Sequence, residues 1–321
     1  MLYGFFTHSA VPDFTPDNDI PSQEGRVIII TGGNAGLGKE TLLRLAKHNP
    51  ERIYIVDRSE ESIGQATINE IQSLVPGAAD RISYLRCDLA DLPSVAACAR
   101  KFTTQESRLD TLICCAGVMG VPASTTKQGY EMHFGTNHVG HALLTQMLLP
   151  TLSQTAEQEG ADVRVVTVSS FGHVFAFRGL YWAGLKGDMK NRNTYRRYGY
   201  SKLANILYTK ELARRYPRVT FVAVHPGVVD TPIYVHSFSG IMAWARKIQR
   251  RVMTSVADGA KNQLWAATFP KGGAKGQVLS GEYYTPVGVT GQGTRASNNL
   301  AQAAKLWEWT EKELEGYMLK A

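Results

Sequence analysis

The stretch Tyr198-Gly-Tyr-Ser-Lys202 sets a phenol and an ammonium four residues apart. On a helix both project from one face, so they can act on one small volume. A free tyrosine ionises near pH ~10 and exchanges protons poorly at neutrality. An ammonium within about 4 to 6 Å favours the phenolate, lowers that value by roughly 1 to 3 units, and brings the phenol toward general acid-base work. Among 14 tyrosines this is the single Tyr-x-x-x-Lys, about as many as chance supplies. The pair therefore gains meaning only from the elements that would hold it against a reactant.

Arg26-Val-Ile-Ile-Ile-Thr31 is a short β-branched run of the kind that forms a buried parallel strand. It leads into Thr31-Gly-Gly-Asn-Ala-Gly-Leu-Gly38, then a helical pattern with Leu42, Leu45 and Ala46 that stops at Asn49-Pro50. Strand, glycine turn and helix bring backbone N–H groups and a positive helix end to one spot, where a pyrophosphate fits and side chains would block it. Gly32, Gly36 and Gly38 do not have the commoner G-x-G-x-x-G spacing, and a glycine loop alone is often only a tight turn. The next strand, Arg52-Ile-Tyr-Ile-Val56, ends at Asp57, whose carboxylate can accept from ribose hydroxyls. It would repel a 2'-phosphate and leans the cofactor toward NAD, while Lys39 and Arg58 could pair with that phosphate and keep NADP open.

Helix-like Glu60 to Leu74, strand-like Arg81 to Arg86, Asp88-Leu89, a further helical stretch and strand-like Thr111 to Gly117 continue the alternation. It predicts an α/β fold: a single-domain, Rossmann-type, doubly wound parallel sheet flanked by helices on both faces, with ligands at the carboxyl ends of the strands. Later strands, Val163 to Val168 and Thr220 to Val224, carry Ser169-Ser170 and His225-Pro-Gly-Val-Val-Asp-Thr231 at those ends. A long helix opens at Gly135 and is expected to end near Leu152, a helix runs near Ala257 to Ala267, a late strand lies around Gly281 to Tyr284, and Leu300 to Leu314 closes the chain as a helix. We read residues 1–25 as an N-terminal extension and 26–321 as the catalytic domain, with an insertion at 171–194 and a lid at 228–255.

The length suffices for a large core. The charge of +7 is interleaved with acidic residues and accompanies no nucleic-acid module, which argues against a nucleic-acid partner. Cys87, Cys98, Cys114 and Cys115 fit neither a disulfide framework nor a zinc pattern, as in a reducing, cytoplasmic setting. Met1 to Phe6 is too short for a signal core or a membrane span, so no stable membrane insertion is expected, and Pro12 to Gly25 favours an extended strap. His138 and His141 lie three apart, but no Glu or Cys accompanies them on that face; packing or a helix contact is favoured over a metal, and no metal is expected. Phe175, Phe177, Tyr181 and Trp182 in the insertion suit either one wall of an apolar pocket or an ordinary surface loop. Ile241, Trp244, Ala245, Ile248 and Val252, opposite Arg246, Lys247, Arg250 and Arg251, form an amphipathic basic helix that reads as a lid, a membrane-surface contact or a solvated helix.

In order, the Thr-Gly-x-x-x-Gly-x-Gly loop, Asp88-Leu89, Ala116-Gly117, Asn137, Ser170, Tyr198 with Lys202, and Pro226-Gly227 resemble the classical short-chain dehydrogenase/reductase family from Arg26 to about Tyr284. Met119, Asn137-His-Val-Gly-His141, Tyr200-Ser-Lys-Leu-Ala-Asn205 and the long insertion look like its retinol-dehydrogenase-like branch, especially fungal members. The resemblance implies an NAD(P)-dependent oxidoreductase interconverting a hydroxyl and a carbonyl on a mostly apolar small molecule, in some members an intermediate of secondary metabolism. Ser170 would orient the substrate oxygen, Tyr198 exchange a proton with it, Lys202 lower the Tyr198 pKa and bind the ribose, and Asn137 maintain a water relay. Gly32, Asn34, Gly36, Leu37, Gly38, Asp57, Arg58, Asp88, Leu89, Ala116, Gly117, Tyr198, Lys202, Pro226, Gly227 and Val229 would line the cofactor, with Thr231 on its carboxamide. Family members are often dimers or tetramers, an analogy that makes this chain a candidate homo-oligomer. Cys115 stands where the family usually has Asn, which predicts a looser or repacked turn, since a thiol is a weak hydrogen-bond partner. The competing reading is a catalytically silent nucleotide-binding regulator or scaffold on the same fold.

Overall fold

The computed structural model describes residues 10–11, 14–229, 254–270 and 277–318. Seven parallel strands form one sheet: β1 (Val27–Thr31), β2 (Arg52–Asp57), β3 (Ile82–Arg86), β4 (Thr111–Cys114), β5 (Arg164–Val168), β6 (Thr220–Val224) and β7 (Tyr283–Tyr284), in the order β3-β2-β1-β4-β5-β6-β7. All five residues of β1 are buried because both faces are covered, which is why the strand reads as an unbroken apolar run. Alternation then sorts the side chains. Ile28, Ile30, Ile53, Ile55 and Ile113 share one core with α2 (Gly36–Ala46), α3 (Glu61–Leu74) and α8 (Val256–Thr268). Val27, Ile29, Tyr54, Val56 and Leu112 share the other with α4 (Leu92–Gln105), α6 (Gly140–Ala156), α7 (Thr194–Arg215) and α9 (Leu300–Met318). The predicted doubly wound sheet is thus the observed one, and strand order reverses between β1 and β4, where such sheets bind ligands.

Three elements differ from expectation. The helix expected to open at Gly135 starts with the turn α5 (Met132–Phe134), widens into a π-helical turn over Gly135–Val139, and continues as α6 through Pro150 to Ala156. Its continuing buried face, Leu152 and Thr155, carries it past the predicted end. The amino-terminal segment is not a bare strap. Phe14 and Ile20 are buried, α1 (Pro16–Asp19) forms one turn, and Asp17 pairs with Arg44 (2.8 Å) and Lys47 (3.1 Å). Finally, α9 runs to Met318, and Tyr208 stacks on its Trp307 at 5.4 Å.

Met1 to Phe6, Thr231 and the basic amphipathic stretch expected to form a lid lie outside the described residues. On either side of that stretch, Val229 and Thr254 form a parallel bridge. Among the described residues, no helix is long and apolar enough to cross a membrane.

Candidate active site

The glycine turn after β1 is built by close approach. Gly32 (φ +74°) and Gly36 (φ +52°) adopt left-handed backbone that other residues rarely take, and a side chain on Gly32 would come within 3.0 Å of the Ala116 Cα. A methyl on Gly38 would collide with the Gly32 carbonyl, because the helix start folds directly over the turn. Ala35 caps α2 with no side-chain hydrogen bond, so the first amides of the helix keep their donors for another acceptor. The Asn34 amide, at the same turn, is buried beside the Tyr84 hydroxyl. Leu37 and Val229 meet over Gly259 of α8, which closes that side. This cradle suits a dinucleotide pyrophosphate.

Asp57 ends β2 as predicted, and its Oδ1 accepts from the Ser59 N–H (3.0 Å) and hydroxyl (2.7 Å). Tyr84 braces the same turn by donating to the carbonyls of Asp57 (3.0 Å) and Ser59 (2.6 Å). Lys39 turns away to Glu70 (2.5 Å), leaving exposed Arg58 as the basic neighbour of Asp57. Asp88 folds its own turn, with Oδ1 accepting from the Ala90 N–H at 2.9 Å, and its neighbour Leu89 sits so close to Gly140 that a larger residue there would strike the Leu89 carbonyl.

The turn after β4, where Cys115 departs from the family pattern, is tied by Thr31. The Thr31 Oγ1 accepts from the N–H groups of Cys115 (2.9 Å) and Ala116 (3.0 Å) and lies 2.9 Å from His141 Nε2. His141 Nδ1 is 3.0 Å from the Asn137 carbonyl, which can only accept, so Nδ1 carries the proton and Nε2 accepts from Thr31. Burial pushes His141 down to about 4, which keeps this neutral form at ordinary pH. Gln263 donates to the Cys115 sulfur at 3.6 Å. The turn is therefore repacked rather than loose. His138 packs between Phe134 (5.0 Å) and Tyr208 (5.2 Å), and both nitrogens of His141 are engaged within the protein.

Asn137 sits in the π-helical turn, a common device for re-aiming a side chain. Its Oδ1 accepts from the Val118 N–H (2.7 Å), and its Nδ2 donates to the Val118 carbonyl and the Ser201 hydroxyl, both at 3.0 Å. With the amide of Asn205 oriented to satisfy its neighbours, its nitrogen donates to the Asn137 carbonyl at 3.1 Å. That carbonyl thus has two protein donors, His141 and Asn205.

Ser170, Tyr198 and Lys202 converge. A point one bond above the Gly172 Cα lies 2.7 Å from the Tyr198 ring and 3.4 Å from Ser170 Oγ, so both side chains face the same spot and glycine is what leaves room. Ser170 Oγ accepts from the Gly172 N–H (3.0 Å), which directs its own hydrogen elsewhere. Ser169 is buried and donates to the Lys202 carbonyl at 2.8 Å, so the second serine of the pair faces the site. One turn along α7, Lys202 Nζ is 5.6 Å from the Tyr198 ring centroid, donates to the Val168 carbonyl (2.8 Å), and lies near Gly117. Burial lowers its pKa to about 8, partly offset by the neighbouring Cys115 and Cys114. After β6, Gly227 (φ +90°) follows Pro226 and passes Thr254.

The insertion divides. Its first turn, residues Phe171–Ala176, packs on α7 beside Tyr198 and Gly199, with Phe175 against Tyr195 at 5.8 Å. Tyr181 and Trp182 instead join the core, under Arg192 and Lys305 respectively, each cation 4.6 Å above its ring. Phe175 and Phe177 are the exposed aromatics. Sequence reasoning missed Thr31, Asn205 and Gln263 as site supports. For His141, the four-residue spacing from Asn137 was the available signal.

The family model for short chain dehydrogenases matches residues 26–240. An uncharacterized oxidoreductase of Schizosaccharomyces pombe is 35% identical over 303 residues, covering 93% of this chain and 87% of that one. Retinol dehydrogenase 12 of Bos taurus is 37% identical over 286 residues, covering 88% and 84%. The crystal structure of a 3-ketoacyl-(acyl-carrier-protein) reductase from Brucella melitensis, complexed with NADH, superposes with a TM-score of 0.59 at 20% identity, covering 82% of this chain and 97% of that one.

Proposed function

The chain belongs to the short chain dehydrogenase family, in its retinol-dehydrogenase-like branch, and on that premise we propose that it interconverts a hydroxyl and a carbonyl on a mostly apolar small molecule with Tyr198 as general acid and base. The observation that carries this reading is the convergence of Ser170 Oγ and the Tyr198 ring over Gly172, with the buried Lys202 one helical turn behind. A nicotinamide cofactor, NAD or NADP, supplies or accepts the hydride when bound.

Ser170 donates its hydroxyl hydrogen to the substrate oxygen and holds it beside Tyr198. In the reducing direction Tyr198 gives that oxygen a proton; in the oxidising direction it takes one. Lys202, a cation in a low-dielectric setting, favours the phenolate and so brings the phenol nearer the working pH. Asn137 keeps the Val118 backbone and Ser201 in register with α7. The glycine turn, Asp57, Leu89, Gly117 and Val229 would hold the cofactor, and the Asp57 carboxylate, with Lys39 drawn away to Glu70, favours NAD. The exposed Phe175 and Phe177 beside α7 suit an apolar substrate. The unpaired cysteines fit a reducing, cytoplasmic setting.

Replacing Tyr198 by Phe removes one oxygen at the centre of this scheme. Turnover of a carbonyl panel that includes retinal should vanish while NADH or NADPH still raises the melting temperature. Near-normal turnover by the variant would refute the mechanism, and stabilisation of the native chain without any turnover would favour a silent nucleotide-binding scaffold.

A further inference from the structure

Beside Tyr198 lies a cluster of ionisable groups that the scheme above does not use. Glu131, His133 and Arg197 are fully or almost fully buried. Glu131 Oε1 accepts from His133 Nδ1 (2.8 Å) and Arg197 Nη1 (3.3 Å), and its Oε2 accepts from the Phe134 N–H (2.8 Å), capping the helix that carries Asn137. Arg197 Nη2 donates to the Val121 carbonyl at 3.0 Å. The His133 ring stands edge-to-face with the Tyr198 ring, centroids 6.1 Å apart, and its Nε2 is buried without a hydrogen bond.

Taking ions out of water costs several kcal/mol each, and a buried pair is weak grounds for stability. The connectivity offers a better reason for keeping this one. Arg197 immediately precedes Tyr198, Glu131 caps the Asn137 helix, and Val121 ends the stretch whose other end, Val118, the Asn137 amide grips. One carboxylate thus joins the three segments that converge on Tyr198, and the imidazole it orients braces the phenol ring. A shift of about 1 Å between reacting groups can cost 100-fold in rate, so rigidity here acts directly on catalysis.

We propose that Glu131, Arg197 and His133 are positioning residues for Tyr198, fixing its ring and balancing the charge beside it. The proposal rests on Tyr198 as the proton-exchanging group, so the test keeps Tyr198 intact. Among the described residues, Lys202 and Tyr283 are also titratable neighbours of the phenol. The readout is ultraviolet difference titration of Tyr198 in the full chain, with Tyr198→Phe as the blank, so no substrate is required. Arg197→Met leaves an uncompensated anion and should move phenol ionisation upward by about half a pH unit or more, whereas Glu131→Gln leaves a cation and should move it downward. Opposite shifts are a signature that mere scaffolding would not produce. Folded variants that both titrate within about 0.2 unit of the native chain would overturn the proposal. Should either fail to fold, His133→Asn against His133→Phe decides: Asn retains a donor to Glu131 and should keep the native melting temperature and titration better than Phe, and equal titration of the two at the native value would sink the idea. Were Tyr198→Phe itself active, the mechanism would fall, while these shifts could still be measured.

Discussion

Tyr198 and Lys202 are flanked by two supports built on different physics. On the cofactor side the links are neutral: the Thr31 hydroxyl receives two backbone amides and passes its own hydrogen to His141, which donates to Asn137. On the other side the hub is the buried carboxylate of Glu131 between Arg197 and His133. Neutral bonds in a buried network need only be complete, whereas ions must also be balanced. The first support should therefore fail when a hydrogen bond is removed, and the second when a charge is.

The largest break expected on the neutral side is Gly38→Ala. The added methyl meets the Gly32 carbonyl, a backbone atom that cannot swing away, so the turn must open. At 100-fold excess over its dissociation constant a cofactor stabilises by about 2.7 kcal/mol, and this variant should lose all of it. Thermal shifts with NADH and NADPH measure the loss, and a retained shift would show that the cradle lies elsewhere.

Acid is the next probe. Burial holds His141 at about 4 and His138 and His225 each at about 3, below the ordinary value near 6.5. The unfolded chain then binds more protons than the folded one as pH falls. Stability is complete above about 6.5 and declines below it, down to about 4 for His141, by roughly 1.4 kcal/mol per pH unit for each histidine. Lys202 works at the other end. Its folded value of about 8 lies below that of the unfolded side chain, so its burial penalty is constant below 8 and is relieved as pH rises toward roughly 10.4. Urea midpoints of the cofactor-free protein between pH 5 and 10 should trace both limbs, and His141→Asn should flatten the acid one.

How far the sequence could reveal these supports differs for the same reason. The glycine turn, Asp57, Tyr198 and Lys202 are legible because each depends on a local pattern: a residue that must lack a side chain, a strand end, a helical spacing; the choice of Ser170 over Ser169 comes from the family resemblance. The parallel sheet is legible because β-branched runs alternate with helical periodicity. Thr31 and Glu131 act instead through partners 84 and 66 positions away, such as Cys115 and Arg197, and nothing local in the sequence announces such pairings. The same holds for the buried start at Phe14, whose ring meets Phe269 at 6.2 Å. A one-residue pattern cannot encode a contact decided by the fold.

A smaller effect sharpens the neutral side. Thr31→Val keeps the shape of the side chain and removes its hydroxyl, leaving two amides and His141 Nε2 without their partner, at a cost of about 1 to 3 kcal/mol. Thr31→Ser should restore most of it. Chemical denaturation distinguishes the two, and equal losses would mean that the methyl, not the hydroxyl, carries the link.

The smallest effect lies at the periphery, where charge is exposed to water. Lys39 and Glu70 form a surface pair 2.5 Å apart, and such pairs contribute about 0 to 1 kcal/mol. Lys39→Ala should barely change stability. It should also leave the ratio of NADH to NADPH affinity as it is, because Glu70 already draws the ammonium away from Asp57. Arg58→Ala, by contrast, removes the exposed cation beside that carboxylate and should weaken NADPH selectively, since only a 2'-phosphate gains from it. Titration of each variant with both cofactors tests the pair. A change in preference from Lys39→Ala larger than that from Arg58→Ala would mean that the lysine leaves Glu70 when the cofactor arrives.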